Sequence, residues 1–250
     1  MYNDFLNIKR SILHFPETQS TNNDLKSEIR KSAEPVFAVI RADKQAGGRG
    51  RLGRTFISPD GGLYFSASFP LCGKETNIPF LTLLAGLAAS EAIDELTNSE
   101  TRIKWPNDIY LEDKKLGGIL CELVSGTSLC AVVGIGINID TSKEDFPSDI
   151  AETATSLSVC RITPPDKNAL MMKIIQRLDY LIYENRELFK TTDKTLSEIK
   201  KRSYSIGKKV RYSLGDTVIE GIITDIKSTG AAQITSEDKS IREIFCGEIV

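Results

Sequence analysis

Residues 102–124 have the sequence RIKWPNDIYLEDKKLGGILCELV, in which short apolar runs alternate with turn-forming residues. These runs are rich in the β-branched and aromatic residues that strands favour. They lie at 102–104, 108–111 and 116–124, and a fourth run follows at 131–139. Glu112 and Asp113 predict a tight turn between the second and third runs. Because short connections join antiparallel neighbours, this part of the chain predicts a mostly antiparallel sheet.

Segments with a helical pattern surround the predicted strands. Residues 78–96 are apolar and alanine-rich, and residues 166–189 carry apolar side chains at helical spacing. A third helix is expected to begin near Ser20, where short polar side chains can cap it, and to end near Lys31. The chain therefore predicts an α+β fold, with a mixed, mostly antiparallel sheet flanked by helices.

The pattern changes from about Ile206 onward. Short apolar runs are interrupted by five glycines over the last 45 residues. Short strands with frequent turns are typical of a small β-barrel. We therefore expect two domains, a main domain of residues 1–205 and a small C-terminal β-barrel of residues 206–250.

The near balance of basic and acidic residues limits the kinds of partner that the chain is expected to bind. The chain has 32 Lys+Arg against 34 Asp+Glu and a net charge of -2, so no overall field attracts phosphate backbones or acidic membranes. No stretch reaches about 18 apolar residues, and the start has no signal-peptide pattern. The five cysteines include no C-x-x-C pair, which fits a reducing compartment. We expect a cytoplasmic protein that binds neither DNA nor a membrane.

Residues 44–54, KQAGGRGRLGR, form a loop rich in glycine and arginine. Its segment Gly48 to Gly53 matches G-x-G-x-x-G, but a dinucleotide site needs a helix at this point, and the following residues have no helical pattern. A G-x-x-x-x-G-K-[ST] sequence is absent. Two interpretations stay open. The loop is either a solvated surface segment, or an anion clamp in which Arg49, Arg51 and Arg54 bind phosphate or carboxylate oxygens.

A second candidate site lies in the predicted hairpin, where Asp108 and Lys115 are expected to lie close together. A surface ion pair, worth about 0–1 kcal/mol, is one interpretation. Gly117 and Gly118 favour another, because glycine inside a strand often marks the close approach of a ligand. Two more glycines occur within residues 132–139, and there a plain buried strand is the alternative.

Five motifs occur in a fixed order along the chain. They are Ser20-Thr21-Asn22, Gln45-x-x-Gly48-Arg49-Gly50-Arg51, KWPND at 104–108, KLGGIL at 115–120 and GIGIN at 134–138. This ordered set resembles the biotin protein ligases, and the expected C-terminal barrel is similar to the SH3-like domain of that family. The resemblance implies a catalytic domain of the class II aminoacyl-tRNA synthetase and biotin ligase type.

The resemblance also implies a reaction. ATP, with Mg²⁺, converts biotin to biotinyl-5′-AMP and pyrophosphate. The biotinyl group then passes to one lysine of a biotin carboxyl carrier protein or domain.

Site residues follow from the same resemblance. Biotin-binding residues would be Ser20, Thr21, Asn22, Gln45, Gly48, Arg49, Gly50, Arg51, Lys115 and Gly117. Nucleotide-binding residues would be Arg49, Arg51, Arg54, Phe56, Lys115 and Asn138. Lys115, Arg51 and Asp108 would be catalytic, and no metal ligand is assigned. Attack of a carboxylate on the α-phosphate joins two anions, so fixed cations suit this step.

Two features depart from the family pattern. Phe56 stands where many members have tryptophan, which leaves the adenine contact open. Some members bind DNA through an N-terminal helix-turn-helix, but only 19 residues precede Ser20 here. A repressor role by that route is therefore not expected.

Two alternatives come from other functional classes. A lipoate or octanoate ligase shares the catalytic fold, but an aliphatic acid needs no polar partners such as Ser20 and Asn22. A non-catalytic biotin-binding module is expected to lack Lys115 or the arginine loop, and both are present. The sequence also allows a homodimer through a sheet edge or an apolar patch.

Overall fold

The computed structural model describes residues 8–71, 77–184, 192–214, 217–245 and 248–249. This part of the chain forms a seven-stranded sheet, a five-stranded sheet and four α-helices. Within the described residues, no helix is both long enough and apolar enough to cross a membrane.

The seven-stranded sheet carries most of the predicted site. Its strands are β1 (Ser11–Thr18), β2 (Ala38–Gln45), β3 (Leu63–Pro70), β4 (Arg102–Lys104), β5 (Asp108–Leu111), β6 (Lys114–Ser125) and β7 (Leu129–Ile137). Their spatial order is β1-β2-β3-β7-β6-β5-β4. The β1–β2 pair is parallel and the other pairs are antiparallel. The expected mixed, mostly antiparallel sheet is therefore confirmed.

The predicted turn joins β5 to β6. Glu112 has a φ of 48° and Asp113 a φ of 61°, as in the type I′ turns that match the twist of antiparallel strands. A register shift within β5 then places Asp108 opposite Gly118. This register brings the beginning of β5 next to the glycines of β6, where the candidate site lies.

The helices cover the two faces of this sheet. They are α1 (Thr21–Lys31), α2 (Ile78–Thr97), α3 (Lys167–Glu184) and α4 (Asp193–Lys201). Helix α2 is buried along most of its length and packs against α3 in the main core. Helix α1 packs on the opposite side, where Leu25 and Ile29 meet Ile40 and Val132. The predicted extension of α3 to residue 189 lies outside the described residues.

The C-terminal strands form the second sheet. They are β8 (Lys209–Leu214), β9 (Thr217–Ile226), β10 (Ala232–Thr235), β11 (Ile241–Ile244) and β12 (Glu248–Ile249), in the order β11-β10-β9-β8-β12. All the pairs are antiparallel. Among the described residues no ladder joins the edge strands β11 and β12, so closure into a barrel stays a prediction.

Trp105 connects the two sheets. Its backbone N–H donates to Oγ of Ser205 at 2.8 Å, and its indole Nε1–H donates to the carbonyl of Gly230 at 2.9 Å. Apolar side chains of the second sheet, including Val210 and Ile234, belong to the same buried cluster as α2 and α3. The C-terminal sheet is therefore packed against the seven-stranded sheet and its helices.

Candidate active site

A cleft of about 600 Å³ lies where α1, the arginine-rich loop, the middle of the main sheet and β8 meet. This volume lies in the range of small-molecule sites. Most of the predicted site residues line it: Ser20, Thr21, Asn22, Gln45, Arg49, Gly50, Arg51, Arg54, Phe56, Asp108 and Lys115. Residues far apart in the chain thus share one wall.

The first of these groups comes from the junction between β1 and α1. Ser20 occupies the N-cap position with an extended backbone, and Thr21 begins the first turn. The side chain of Ser20 makes no capping hydrogen bond, in contrast to the expected side-chain cap. The N–H of Thr21 donates to Oε1 of Gln45 at 2.9 Å, and Nε2 of Gln45 donates to Oγ of Ser58 at 3.0 Å. These bonds fix the orientation of the Gln45 amide. We call Ser20, Thr21, Asn22 and Gln45 the polar end of the cleft.

Asn22 is buried at this end, with only 4% of its surface exposed. Its Nδ2 donates to Oε2 of Glu122 at 2.8 Å and to the carbonyl of Leu120 at 3.2 Å. Lys26 forms an ion pair with the other oxygen of Glu122 at 2.6 Å. Burial opposes ionisation of Glu122, but the hydrogen bonds from Lys26 and Asn22 and the nearby positive charges of Lys26 and Arg49 outweigh it and lower its pKa.

The arginine-rich loop folds as a hairpin across the cleft. Residues Gln45 and Ser58 pair at its base, and Arg49 pairs with Thr55 nearer its tip. Leu52 at the tip has a φ of 54°. Gly48 is required by packing, because a Cβ atom there would lie 2.3 Å from the Phe56 carbonyl oxygen. No helix follows the loop in residues 54–62, as the sequence predicts.

Arg51 connects the loop to the KWPND segment. Its guanidinium donates to Oδ1 of Asn107 at 3.4 Å, while Nδ2 of Asn107 donates to the carbonyl of Ile119 at 3.1 Å. Asn107 therefore joins the loop to β6. Sequence reasoning did not assign Asn107 a role, although it is part of the KWPND motif.

Asp108 and Lys115 form the ion pair expected from the hairpin. Nζ of Lys115 lies 2.7 Å from Oδ1 of Asp108, and the two side chains are 36% (Lys115) and 20% (Asp108) exposed. Nζ also lies 5.8 Å from the centre of the Phe56 ring. The ammonium group therefore stays accessible to a ligand. We call Arg51, Arg54 and Lys115 the cationic end of the cleft.

Glycines of the central strands form the floor between the two ends. A Cβ atom at Gly134 would lie 2.1 Å from Oδ1 of Asn22, and one at Gly136 would lie 2.5 Å from the Phe56 ring. Residues two apart on a strand face the same side and are separated by about 7 Å. The floor thus receives Asn22 at the polar end and Phe56 at the cationic end.

Three predicted site residues do not line the cleft: Gly48, Gly117 and Asn138. A Cβ atom at Gly117 would lie 2.5 Å from the Gly136 carbonyl oxygen, which accounts for this glycine by sheet packing. Asn138 is buried, and its Nδ2 donates to the carbonyl of Thr155 at 2.9 Å, while its Oδ1 has no partner among the described residues. A nucleotide contact of Asn138 stays a prediction.

Several cleft residues were missed by sequence reasoning. They include Phe65, Lys104, Trp105, Asn107, Arg211 and Tyr212. Lys104, Trp105 and Asn107 adjoin Asp108 in a motif already recognised, so proximity in the chain could have identified them. Arg211 and Tyr212 come from β8, about 100 residues further on, and no local pattern marks them.

The polar and charged side chains that line the cleft suit the binding of an anion better than the binding of a metal ion by itself. Among the described residues no group of three His, Cys, Asp or Glu side chains is arranged to hold a metal ion. Asp108 is the one acidic residue on the described cleft wall. Mg²⁺ commonly binds one or two carboxylates and completes its shell with phosphate oxygens and water, so Asp108 fits a metal that arrives with a nucleotide.

Similarity to known proteins agrees with this geometry. The profile of the biotin/lipoate A/B protein ligase family matches residues 14–138. The bifunctional ligase/repressor BirA of Bacillus subtilis is 33% identical over 166 residues, 65% of this chain and 51% of that protein. This chain thus spans about half of that relative. The biotin–[acetyl-CoA-carboxylase] ligase of Mycobacterium tuberculosis is 30% identical over 223 residues, 86% of this chain and 79% of that one.

A solved structure extends the similarity to the whole fold. The biotin protein ligase from Aquifex aeolicus in complex with biotin and ATP aligns with a TM-score of 0.81 and 30% identity. The alignment covers 97% of this chain and 98% of the Aquifex chain. The chain belongs to the biotin/lipoate A/B protein ligase family, and its Mycobacterium and Aquifex relatives are biotin ligases.

Proposed function

We propose that this protein is a biotin protein ligase. It activates biotin with ATP to biotinyl-5′-AMP and pyrophosphate, and it transfers the biotinyl group to a lysine of a biotin carboxyl carrier protein or domain. One observation carries the proposal: a single cleft holds both a hydrogen-bonding polar end, with Asn22 over Gly134, and a cationic end, with Lys115 next to the Phe56 ring that lies over Gly136. The two glycines are about 7 Å apart on one strand. A ligand with a neutral polar ring and a carboxylate tail matches both ends.

The polar end suits the ureido ring of biotin. Ser20, Thr21, Asn22 and Gln45 supply hydroxyl and amide groups within one small region. A buried polar site discriminates strongly against a ligand that cannot satisfy it, because its groups are then left unpaired. The dithiolane of lipoate offers no N–H donor, so this end favours biotin over lipoate.

The cationic end suits the activation step. A carboxylate oxygen of biotin attacks the α-phosphorus of ATP, the bond from that phosphorus to the bridging oxygen breaks, and pyrophosphate leaves. Arg51, Arg54 and Lys115, together with Arg49 from the same loop, would offset the repulsion between the two anions and stabilise charge on the phosphoryl oxygens. The loop of residues 45–58 lies over this region and excludes water from the mixed anhydride.

Asp108 has two roles in this proposal. It holds Lys115 in place through their 2.7 Å ion pair. It would also hold Mg²⁺ that enters with the triphosphate, and this ion would neutralise part of the phosphate charge.

Transfer completes the reaction. The neutral amine of the acceptor lysine attacks the acyl carbon of biotinyl-5′-AMP. Its nitrogen releases a proton to solvent as the amide forms, and AMP leaves as its phosphate takes the bonding electrons. Phe56 packs against Gly136 and Gly118 and would form the wall next to the nucleotide. The side chain of Asn138 would contact the nucleotide only after it reorients.

We also propose that residues 1–205 form the catalytic domain and that residues 206–250 form an SH3-like barrel. Arg211 and Tyr212 of the second sheet reach the cleft wall, so this domain would help to close the site. The need for ATP, together with the free thiols of Cys121, Cys130 and Cys160, suits the cytoplasm.

The test is a transfer assay. The purified protein is incubated with ATP, Mg²⁺, biotin and a carboxylase carrier domain, and the mass of the carrier is measured. We expect the gain of one biotinyl group that depends on ATP, is largely lost in Arg51→Ala and is retained in Arg242→Ala, a control on exposed strand β11. A gain with lipoate but not with biotin would make the protein a lipoate ligase, and no gain with either acid would refute ligase activity.

A further inference from the structure

A partly buried chain of polar contacts leads from an ion pair to the wall of the cleft. Lys26 contacts Oε1 of Glu122 at 2.6 Å, and Oε2 of Glu122 accepts from Nδ2 of Asn22 at 2.8 Å. Oδ1 of Asn22 accepts from Oγ of Ser66 at 2.5 Å, and Oγ of Ser66 lies 2.7 Å from Oγ1 of Thr21. Only Asn22 and Thr21 of these five residues line the cleft.

The chemistry of these groups permits one direction for the protons. An ionised carboxylate only accepts, so Asn22 must turn its amide nitrogen to Glu122 and its oxygen to Ser66. An amide oxygen only accepts, so Ser66 must donate to Asn22. A hydroxyl has one proton, so Ser66 must then accept from Thr21. The 3.2 Å contact from Thr21 to Oε1 of Gln45 is the weaker alternative for that proton.

This direction determines what the cleft offers to a ligand. Because the proton of Thr21 points away to Ser66, the remaining lone pairs of its Oγ1 are available as acceptors. We propose that the Lys26–Glu122 ion pair is a specificity device that orients this chain, so that Thr21 accepts a hydrogen bond from an N–H of the bound ring. The inference rests on the proposed function, and Lys26, Glu122 and Ser66 act as positioning residues.

The lysine gives the device a testable property. Ionised Glu122 presents an acceptor to both neighbours. In Glu122→Gln, the ammonium of Lys26 requires an acceptor and holds the amide oxygen of the new side chain, which turns the amide nitrogen toward Asn22. Two donors then face each other. The simplest relief reverses the chain, so that Ser66 donates to Oγ1 of Thr21 and occupies one of its lone pairs. The proton of Thr21 then turns to Oε1 of Gln45 or into the cleft, and Thr21 becomes a poorer acceptor for the N–H of the ligand.

A second substitution should restore the original direction. In the double variant Lys26→Met and Glu122→Gln, no ammonium holds the amide oxygen, so that oxygen can face Asn22 and accept from its Nδ2. The carbonyl of Leu120, 3.2 Å from the same Nδ2, favours this orientation. Removing both partners would also relieve a purely structural ion pair, because a single removal leaves one charge buried and unpaired. That relief would appear in the free energy of unfolding, whereas a pair that orients the chain should also change the preference between biotin and its methylated form.

The experiment measures binding of biotin and of biotin methylated on a ureido nitrogen to the full chain by calorimetry. We expect the unaltered protein to bind biotin more tightly than methylated biotin. Glu122→Gln should bind biotin about tenfold more weakly and should discriminate less between the two ligands. The double variant should recover most of the affinity for biotin and most of the discrimination. The KM for ATP should change little. Asp225→Asn removes a comparable ion pair, 2.6 Å long to Lys200, on the second sheet, and should bind like the unaltered protein.

Ser66→Ala provides a second route if Glu122→Gln does not fold. It removes the middle link, leaves the ion pair intact and should reduce the preference for biotin over its methylated form. Equal preference in the unaltered protein and both single variants would overturn the inference, as would a double variant no better than Glu122→Gln. Failure of the unaltered protein to bind biotin would instead refute the proposed function, and the inference with it.

Discussion

Replacement of Gly134 with alanine should weaken biotin binding, because Asn22 lies directly against this glycine. A Cβ atom at residue 134 would lie 2.1 Å from Oδ1, 2.9 Å from Cγ and 3.1 Å from Nδ2 of Asn22. Non-bonded heavy atoms pack near 3.5–4.0 Å, so one side must move by about 1 Å or more. β7 is paired with β3 and β6 at this point, so its backbone is held and the Asn22 side chain moves.

The size of the effect follows from the contacts of Asn22. Its displacement breaks two neutral hydrogen bonds, with Ser66 and Leu120, and one with the charged carboxylate of Glu122. Neutral bonds contribute about 1 kcal/mol each and charged ones about 1.5–3 kcal/mol, so the upper limit is about 3.5–5 kcal/mol. Partial relaxation recovers some of this. We expect the free energy of unfolding to fall by about 2–3 kcal/mol and biotin affinity by about tenfold or more.

Calorimetric titration with biotin and urea unfolding measure the two effects. Gly86→Ala is the matched control, since this glycine is also buried but a Cβ atom there would meet no atom closer than 3.5 Å. Alanine favours a helix over glycine by about 1 kcal/mol, so α2 should keep or gain stability and biotin binding should not change. A Gly134→Ala protein with unaltered biotin affinity and stability would refute the assigned contact.

Three further perturbations test other parts of the site. The pKa of Glu122 is lowered from its ordinary value of 4.5, so the stability that its charge contributes is present above pH 4.5 and is lost as the pH falls through the folded value. The difference in urea stability between the unaltered protein and Glu122→Gln should therefore shrink on acidification. Trp105→Phe removes the donor to the buried Gly230 carbonyl and should cost about 1–2 kcal/mol in urea unfolding. Arg211→Ala should raise the KM for ATP several-fold, with biotin affinity unchanged, because Arg211 reaches the cleft from β8.

Each of these has an opposing outcome. If the difference in urea stability between the unaltered protein and Glu122→Gln does not change with pH, the charge of Glu122 does not contribute to the stability of the fold. If Trp105→Phe is as stable to urea as the unaltered protein, the indole hydrogen bond does not stabilise the contact between the two sheets. A biotin affinity that falls together with the apparent ATP affinity in Arg211→Ala would place this side chain in general packing of the cleft.

Local pattern was enough to predict most of the main sheet. The strands Arg102–Lys104 and Asp108–Leu111 have the bounds expected from their apolar runs, and the Glu112–Asp113 turn lies where predicted. Helix α1 begins after Ser20, and α2 begins at Ile78. These features depend on residues close in the chain, whose propensities and turn chemistry act over a few positions. Strand β1 carries little periodic signal in the sequence, because its side chains are mostly exposed.

The sequence was enough to predict the candidate site residues that lie in recognised motifs. It was not enough to predict contacts between segments that are far apart in the chain. Ser20 to Asn22, the arginine loop and Lys115 could be identified from the sequence. The pairing of Lys26 with Glu122, which are 96 residues apart, could not, nor could the fit of Asn22 against Gly134 or the reach of Arg211 from the second sheet. A sequence specifies the types of group and their local conformation. The register of the strands and the packing of α1 and β8 on the sheet determine which of these groups touch, since those contacts depend on long-range pairing that has no local pattern.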